Sequence, residues 1–303
     1  MCGIVGLLVK KRELRASLGQ LATPMFCCMG ERGPDSGGMA VFGNPTPPEQ
    51  RRFNLFVRRD PDWPGLLDSF TAAFPGHGAD VRIQPLENHA ILFTSVSPAE
   101  VRAWLLEQEP SVALLSVGRS IDVYKDQGKP GEIARRYHFA ELQGSHCIGH
   151  TRMATESAVT PAHAHPYTAG EDFCLVHNGS LSNPYMLRRM LERRGVRFET
   201  DNDTEAACRF IEWRLTQGDT LEQALEQAFR RLDGFYTLLM ATPDRLTLVR
   251  DAFACKPAVI AETDDYVAVA SEYRSLAHLP CVSSARMFEP RPEEIYSWKV
   301  PQR

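Results

Sequence analysis

The sequence lacks any apolar run that approaches the roughly 18 residues of a membrane-spanning helix. Its N-terminus also lacks the basic segment followed by apolar residues that marks a secretory signal peptide. Basic residues are not in excess, because 34 Lys and Arg face 38 Asp and Glu, which gives a formal net charge of -4. No global basic field therefore points to nucleic acid or to an anionic membrane. We expect a cytoplasmic protein that binds neither.

Metal-ligand spacings are missing as well. The chain has eight cysteines, but no two stand in a Cys-x-x-Cys pair, so zinc or iron–sulfur ligation is poorly supported. The stretch "HAHPY" at 163–167 has two histidines one residue apart but no carboxylate or cysteine ligand set beside them, which favours a structural loop. No phosphate-binding loop or dinucleotide fingerprint is present. We expect no metal and no cofactor in this chain.

The apolar pattern predicts a layered α+β fold. A chain of 303 residues, 43% of them hydrophobic, can bury one large core or two modest ones. Apolar strands come first, capped helices lie in the middle, and two apolar hairpins occupy the last third. One of these helices begins after Thr220, which forms a capping box with Gln223.

Residues 44–116 look like a separate unit. The segment opens with the Pro-rich "NPTPPEQ" and continues with strands and helices in the order β-α-β-β-α-β, which is typical of a ferredoxin-like unit. We expect a small α+β domain inserted into a main domain formed by residues 1–43 and 117–303. The favoured interpretation is a packing or docking module without chemistry of its own.

The first six residues, "MCGIVG", raise a chemical possibility. Removal of Met1 would leave Cys2 with a thiol and a free α-amine on one residue. A free thiol is a few per cent thiolate at pH 7, and an α-amine with a pKa of about 7.7 to 8.0 is matched to accept its proton. Nucleophile and base would then belong to one residue, although many chains begin with Met-Cys by chance.

Four later stretches, with the closing "VAVASE", strengthen this interpretation. They are "RGPDSGG" at 32–38, "GHTRMATES" at 149–157, "LVHNGSLSN" at 175–183 and "DNDTE" at 201–205. Together with Cys2 they resemble the class II glutamine amidotransferases, N-terminal-nucleophile hydrolases that take ammonia from glutamine. The resemblance covers the chain outside the inserted segment. It implies a four-layer αββα sandwich and a terminal cysteine released by methionine removal.

The resemblance also implies roles for individual residues. Cys2 would be the nucleophile that forms a γ-glutamyl thioester, and the Asn178 side chain and Gly179 N–H would form the oxyanion hole. The substrate carboxylate would bind Arg152 and its ammonium Asp203.

Two further residues have lesser roles. Thr155 would add a substrate contact, and Arg32 would order the terminus.

Plainer interpretations remain open: a surface ion pair for Arg152, a helix N-cap for Asp203, and an ordinary turn for the Asn-Gly pair. The chain also departs from many relatives after "RMAT", where Glu156 and Ser157 replace histidine and glycine.

The resemblance extends to partners. The sequence looks most like stand-alone glutaminase subunits of the glutamate synthase type, including that of N-methylglutamate synthase. In such hetero-oligomers the ammonia or an equivalent amine is used by partner subunits that carry FMN and iron–sulfur clusters. Two other functions stay open: a non-catalytic glutamine-sensing or scaffold subunit, and a free-standing amidase for another γ-glutamyl compound.

Overall fold

The computed structural model describes residues 2–153 and 160–301. The strands in these residues are β1 Gly3–Val9, β2 Ser36–Phe42, β3 Arg51–Val57, β4 Arg82–Leu86, β5 His89–Thr94, β6 Val112–Gly118, β7 Ile121–Gln127, β8 His146–Arg152, β9 Tyr167–Thr168, β10 Cys174–Leu181, β11 Gly234–Thr242, β12 Arg245–Arg250, β13 Val259–Glu262, β14 Tyr266–Ala270, β15 Arg286–Phe288 and β16 Ile295–Lys299.

The α-helices in the same residues are α1 Leu18–Cys28, α2 Trp63–Ala73, α3 Pro98–Gln108, α4 Pro130–Arg136, α5 Pro184–Glu192, α6 Asp203–Thr216, α7 Leu221–Arg231 and α8 Tyr273–Leu276. Short 3-10 turns lie at Arg12–Ser17, Met29–Glu31, Pro75–Asp80, Phe139–Glu141, Pro161–His163 and Val282–Ser284. None of the helices in the described ranges is both long and apolar enough to cross a membrane.

Two stacked sheets form the centre of the main domain. One has seven strands in the order β15-β13-β14-β1-β8-β2-β7, and the other has five in the order β16-β12-β11-β10-β9. Helices α1, α4 and α8 pack on the outer face of the first sheet, and α5, α6 and α7 pack on the outer face of the second. A third apolar cluster fills the space between the sheets. The predicted α+β fold with four αββα layers is therefore confirmed.

Strand β1 lies in the middle of the seven-stranded sheet and is buried on both faces. Because side chains alternate along a strand, Val5 and Leu7 join the cluster under the helices, while Ile4 and Leu8 join the cluster between the sheets. Burial of each such side chain stabilises the fold by about 1.5 to 3 kcal/mol. These contacts hold the strand that carries the N-terminus.

The helix ends follow the local sequence signals. Thr220 accepts a hydrogen bond from the backbone of Gln223, and the Gln223 side chain accepts one from the Thr220 N–H, so the predicted capping box is present. This reciprocal pair satisfies two backbone donors that the first turn of α7 leaves without helical partners.

The inserted unit has the expected ferredoxin-like topology. Its strands form a four-stranded antiparallel sheet in the order β4-β5-β3-β6, and α2 and α3 cover one face. Phe53, Phe70 and Trp104 lie in a core that is separate from the cores of the main domain. Its last strand runs to Gly118. The boundaries 44 and 116 stay a prediction.

The other face of this small sheet covers the edge of the seven-stranded sheet. The Asn54 side chain donates to the Ile121 carbonyl and accepts from the Val123 N–H, both at 3.1 Å. The Lys125 N–H donates to His89 Nε2 at 3.3 Å. Side chains of the inserted unit thus pair backbone groups of β7, which has no neighbouring strand on this side in the part of the chain that the structure describes.

Candidate active site

Cys2 lies at the start of the central strand of the seven-stranded sheet. Gly3 pairs with Thr151 of β8, and a side chain at position 3 would approach the Met29 Cβ and the Thr151 Oγ1 to 2.8 Å, so only glycine fits there. The Cys2 carbonyl accepts hydrogen bonds from Arg32 Nε at 3.1 Å and from Asn178 Nδ2 at 3.3 Å. Cys2 itself is partly exposed. Two predicted site residues therefore contact it directly.

Arg32 links Cys2 to Glu272, which follows strand β14. Its Nη1 donates to Glu272 Oε1 at 2.6 Å, and this hydrogen bond holds the pKa of the Glu272 carboxyl below its usual value. The loop that contains Arg32 and Gly33 lies close to β8. A Cβ on Gly33 would be only 2.3 Å from the Thr151 carbonyl carbon, so this close approach requires glycine. Arg32 is therefore placed to fix the backbone of Cys2.

Glu272 is a site residue that sequence reasoning missed. It follows β14, which pairs directly with β1, and the preceding residue Ser271 exchanges hydrogen bonds with Ile4 through its Oγ and its N–H. The closing "VAVASE" is part of the resemblance, which implies no role for its last two residues, Ser271 and Glu272. The strand pairing supplies the missing signal, because continuing its register from Val5–Ala270 brings position 272 opposite Gly3, the neighbour of Cys2.

Asn178 and Gly179 lie on β10 of the second sheet. Asn178 is 3% exposed, and its side chain reaches across to Cys2. Gly179 has a φ of 152°, and a Cβ there would meet the Phe235 carbonyl oxygen at 2.0 Å. A side chain at position 179 would therefore force the strand apart from β11.

Asp203 is the first residue of α6, not its cap. The cap is Asn202, whose Oδ1 accepts from the Thr204 N–H at 2.8 Å, so the N-cap interpretation of Asp203 is wrong. Asp203 Oδ2 instead accepts from the Leu181 N–H at 2.9 Å. This bond ties the start of the helix to β10 two residues after Gly179.

Arg152 is the last residue of β8, and its side chain belongs to a residue only 5% exposed. Continuing the Gly3–Thr151 pairing by one position brings Arg152 beside Cys2. Such burial does not fit the interpretation of a surface ion pair. Met1, Thr155, Glu156 and Ser157 lie outside the described residues.

The buried cysteine and histidines near β8 do not form a second nucleophilic site. Burial raises the pKa of Cys147 to about 12, so the residue remains a thiol at neutral pH. Burial also lowers the pKa of His150 to about 3 and that of His177 below its usual value. The two imidazoles are therefore neutral.

A comparison of whole sequences decides the family. The chain is 44% identical over 299 residues to a protein of Rhizobium meliloti (strain 1021) named glutamine amidotransferase-like protein GlxB, and the match covers 98% of each chain. The chain belongs to the class II glutamine amidotransferases. A family model described as a glutamine amidotransferase domain matches residues 150–278.

More distant relatives agree with this assignment. A glutamine–fructose-6-phosphate aminotransferase (isomerizing) of Aliivibrio fischeri is 34% identical over 142 residues, which are 46% of this chain and 23% of the relative. The solved glutamine phosphoribosylpyrophosphate amidotransferase of B. subtilis superposes with a TM-score of 0.62 at 18% identity, over 100% of this chain and 50% of that one. The second match shows a shared N-terminal-nucleophile hydrolase fold.

This class II amidotransferase brings the predicted residues together from both sheets. Arg32 and Asn178 each contact Cys2, and Gly179 adjoins Asn178. Asp203 joins them through the backbone of β10, and Arg152 lies at the end of the strand beside Cys2. The candidate site therefore draws its residues from the ends of β1 and β8, from β10 and from the start of α6.

Proposed function

We propose that this chain hydrolyses glutamine to glutamate and ammonia with the Cys2 thiol as nucleophile. The observation that carries the proposal is the double contact on the Cys2 carbonyl, because Arg32 and Asn178 hold the residue at the meeting point of the two sheets. Met1 is removed, and the α-amine of Cys2 takes the proton of its own thiol.

The thiolate attacks the side-chain amide carbon of glutamine. The Asn178 amide has a second N–H beyond the one that faces Cys2, and this N–H and the Gly179 N–H stabilise the oxyanion. The Cys2 ammonium returns its proton to the leaving nitrogen, so ammonia departs and a γ-glutamyl thioester remains. Water then attacks the thioester, which releases glutamate and restores the thiol.

Two charged side chains select the amino-acid end of the substrate. The Arg152 guanidinium matches the two oxygens of the α-carboxylate, and the Asp203 carboxylate matches the α-ammonium. Asp203 supports this role because its side chain is 24% exposed, and each carboxylate oxygen that accepts one buried donor keeps a second lone pair for the ammonium. Thr155 would add a further contact.

The ammonia then passes to another protein. We assign no cofactor to this chain and expect synthase partners of the glutamate synthase or N-methylglutamate synthase type, with FMN and iron–sulfur clusters, in a hetero-oligomer. The support comes from the sequence, which holds no phosphate-binding loop, dinucleotide fingerprint or cluster-binding cysteine set. Purification from native cells should bring flavin and iron–sulfur subunits with the chain. Full activity of a lone chain would contradict this part.

The nucleophile is tested with wild type, Cys2→Ala and the matched control Cys255→Ala, whose thiol is exposed. Glutamate release should disappear in Cys2→Ala and stay within about twofold of wild type in the control. A diazoketone analogue of glutamine should label Cys2 alone in peptide mapping. Labelling of another cysteine, or activity in Cys2→Ala, would refute the assignment.

Measurements of glutamine binding and of hydrolysis of other γ-glutamyl amides separate the other two functions. Glutamine binding without hydrolysis by wild type would indicate a sensor or scaffold. Faster hydrolysis of another γ-glutamyl amide in a panel would indicate a free-standing amidase.

A further inference from the structure

Two buried histidines that the proposed reaction does not use converge on Thr204. This residue is the second of α6 and is 1% exposed. Its Oγ1 lies 3.0 Å from His177 Nδ1, 2.9 Å from His165 Nε2 and 3.4 Å from Asp203 Oδ1. The hydroxyl therefore joins β10, the segment before β9 and the proposed ammonium-binding carboxylate.

A third histidine completes the cluster. His150 Nε2 lies 2.9 Å from the His177 carbonyl oxygen, and its ring stacks on that of His165 with a centroid distance of 4.0 Å. A carbonyl oxygen can only accept, so His150 carries its proton on Nε2. This bond holds the peptide unit that directly precedes Asn178.

The positions of the other protons follow from burial. Burial lowers the pKa of His165 and of His177, so each neutral ring has one N–H. In residues 2–153 and 160–301, His165 Nδ1 and His177 Nε2 are buried and have no hydrogen-bond partner. A buried N–H without a partner is rarer than a buried acceptor without one. The protons therefore belong on His165 Nε2 and His177 Nδ1, where both can donate to Thr204 Oγ1.

Among the residues that the structure describes, the hydroxyl proton of Thr204 then has one acceptor within reach. Its oxygen accepts from two imidazoles, and its O–H donates to Asp203 Oδ1. The other carboxylate oxygen, Oδ2, accepts from the Leu181 N–H. Both oxygens of Asp203 are thus fixed by groups buried behind it, and the carboxylate cannot rotate without breaking one of these bonds.

We propose that Thr204 is a positioning residue for recognition of the substrate α-ammonium, oriented by His165 and His177. The inference rests on the proposed function of Asp203 and deepens it. The hydroxyl selects which way the Asp203 carboxylate faces, and the neutral imidazoles keep positive charge away from the place where the ammonium binds. His150 holds the backbone of β10 just before Asn178 by donating to the His177 carbonyl oxygen.

The test measures binding, so that it does not depend on turnover. In a Cys2→Ala background, calorimetry compares glutamine with 4-carbamoylbutanoate, which is glutamine without its α-amino group. The ratio of the two dissociation constants reports ammonium recognition alone. Thr204→Val keeps the shape and removes the hydroxyl, while the matched control Thr204→Ser keeps the hydroxyl. Thr204→Cys, with a weakly hydrogen-bonding thiol, is a second variant in case the valine variant does not fold.

We expect the preference for glutamine to fall about tenfold in Thr204→Val or Thr204→Cys and to stay within about twofold of the parent in Thr204→Ser. Equal weakening of both ligands, an unchanged ratio, or no glutamine binding by the parent would overturn the inference. It would also be overturned if only Thr204→Ser folds, because the hydroxyl would then serve the fold. Failure of wild type to hydrolyse glutamine would refute the proposed function separately, since the binding ratio needs no turnover.

Discussion

The contact between Arg32 and Cys2 offers a sharp test of how the terminus is held. Arg32→Met keeps most of the side-chain stem but removes the donor to the Cys2 carbonyl at 3.1 Å and the ion pair with Glu272 at 2.6 Å. The Arg32 side chain is 10% exposed, so water replaces these bonds poorly. Each charge-assisted hydrogen bond contributes about 1.5 to 3 kcal/mol. Loss of one such contribution from the transition state lowers kcat/KM by about 10- to 150-fold.

Two further variants separate positioning from general stability. Arg274 pairs with Glu272 and with Glu31 but does not touch Cys2, and its side chain is 47% exposed. Arg274→Met should therefore keep kcat/KM within about twofold of wild type. Glu272→Gln should give an intermediate loss of roughly 3- to 10-fold, because Arg32 keeps its bond to Cys2 but loses its ionic anchor.

The assay is initial-rate glutamate release, with thermal unfolding measured on the same samples. The double variant Arg32→Met with Glu272→Gln should be no slower than Arg32→Met alone, since both changes break one chain of contacts. Wild-type rates in Arg32→Met, or equal losses in Arg32→Met and Arg274→Met, would refute the reasoning.

Three more outcomes are expected. Asn178→Ala should lower kcat about 100- to 1,000-fold through loss of an oxyanion donor, and an unchanged kcat would remove Asn178 from the oxyanion hole. Asp203→Ala should lower kcat/KM for glutamine about 10- to 150-fold while the protein still folds, and unchanged kinetics would contradict ammonium binding there. Acid should destabilise the fold, because burial lowers the pKa values of His89, His146 and His150 to about 3, about 4 and about 3. The unfolded chain binds these protons below about pH 6.5, so stability is complete above that pH and is lost towards pH 4. Urea unfolding should show a loss of roughly 4 kcal/mol between about pH 7.5 and about pH 5.5, and a flat profile would contradict neutral burial.

The fold was accessible from sequence because its signals are local. Strand and helix periods, the Thr220–Gln223 capping box and the β-α-β-β-α-β order of the inserted unit each depend on residues close together in the chain. The contribution of Glu272 is different, because its partner Arg32 lies 240 residues away. No local pattern predicts such a pairing. It requires the strand order in which β14 and β8 flank β1.

The inserted unit shows the same limit. Its topology follows from local periodicity, but its packing does not, and the sequence alone favoured a module that packs or docks. In the structure, the side-chain amide of Asn54 donates one hydrogen bond to the backbone of β7 and accepts another from it. His89 accepts a third hydrogen bond from the same strand. An asparagine within a predicted strand does not by itself indicate a contact between domains. Its hydrogen-bond partners can be identified only when the position of β7 against the inserted sheet is known.

The arrangement also explains why the candidate site lies where the two sheets meet. Strand β1 begins at this point and β8 ends there in one sheet, while β10 in the other sheet carries Asn178 and Gly179 towards them. Helix α6 starts at the same place, because the Asp203 carboxylate is bonded to the backbone at the end of β10. The close packing between the sheets therefore does more than stabilise the fold. It sets the distance between Cys2, the proposed nucleophile, on one sheet and the residues proposed to bind the oxyanion and the ammonium on the other. Under the proposed function, a change in the intersheet core should therefore alter catalysis without touching a site residue.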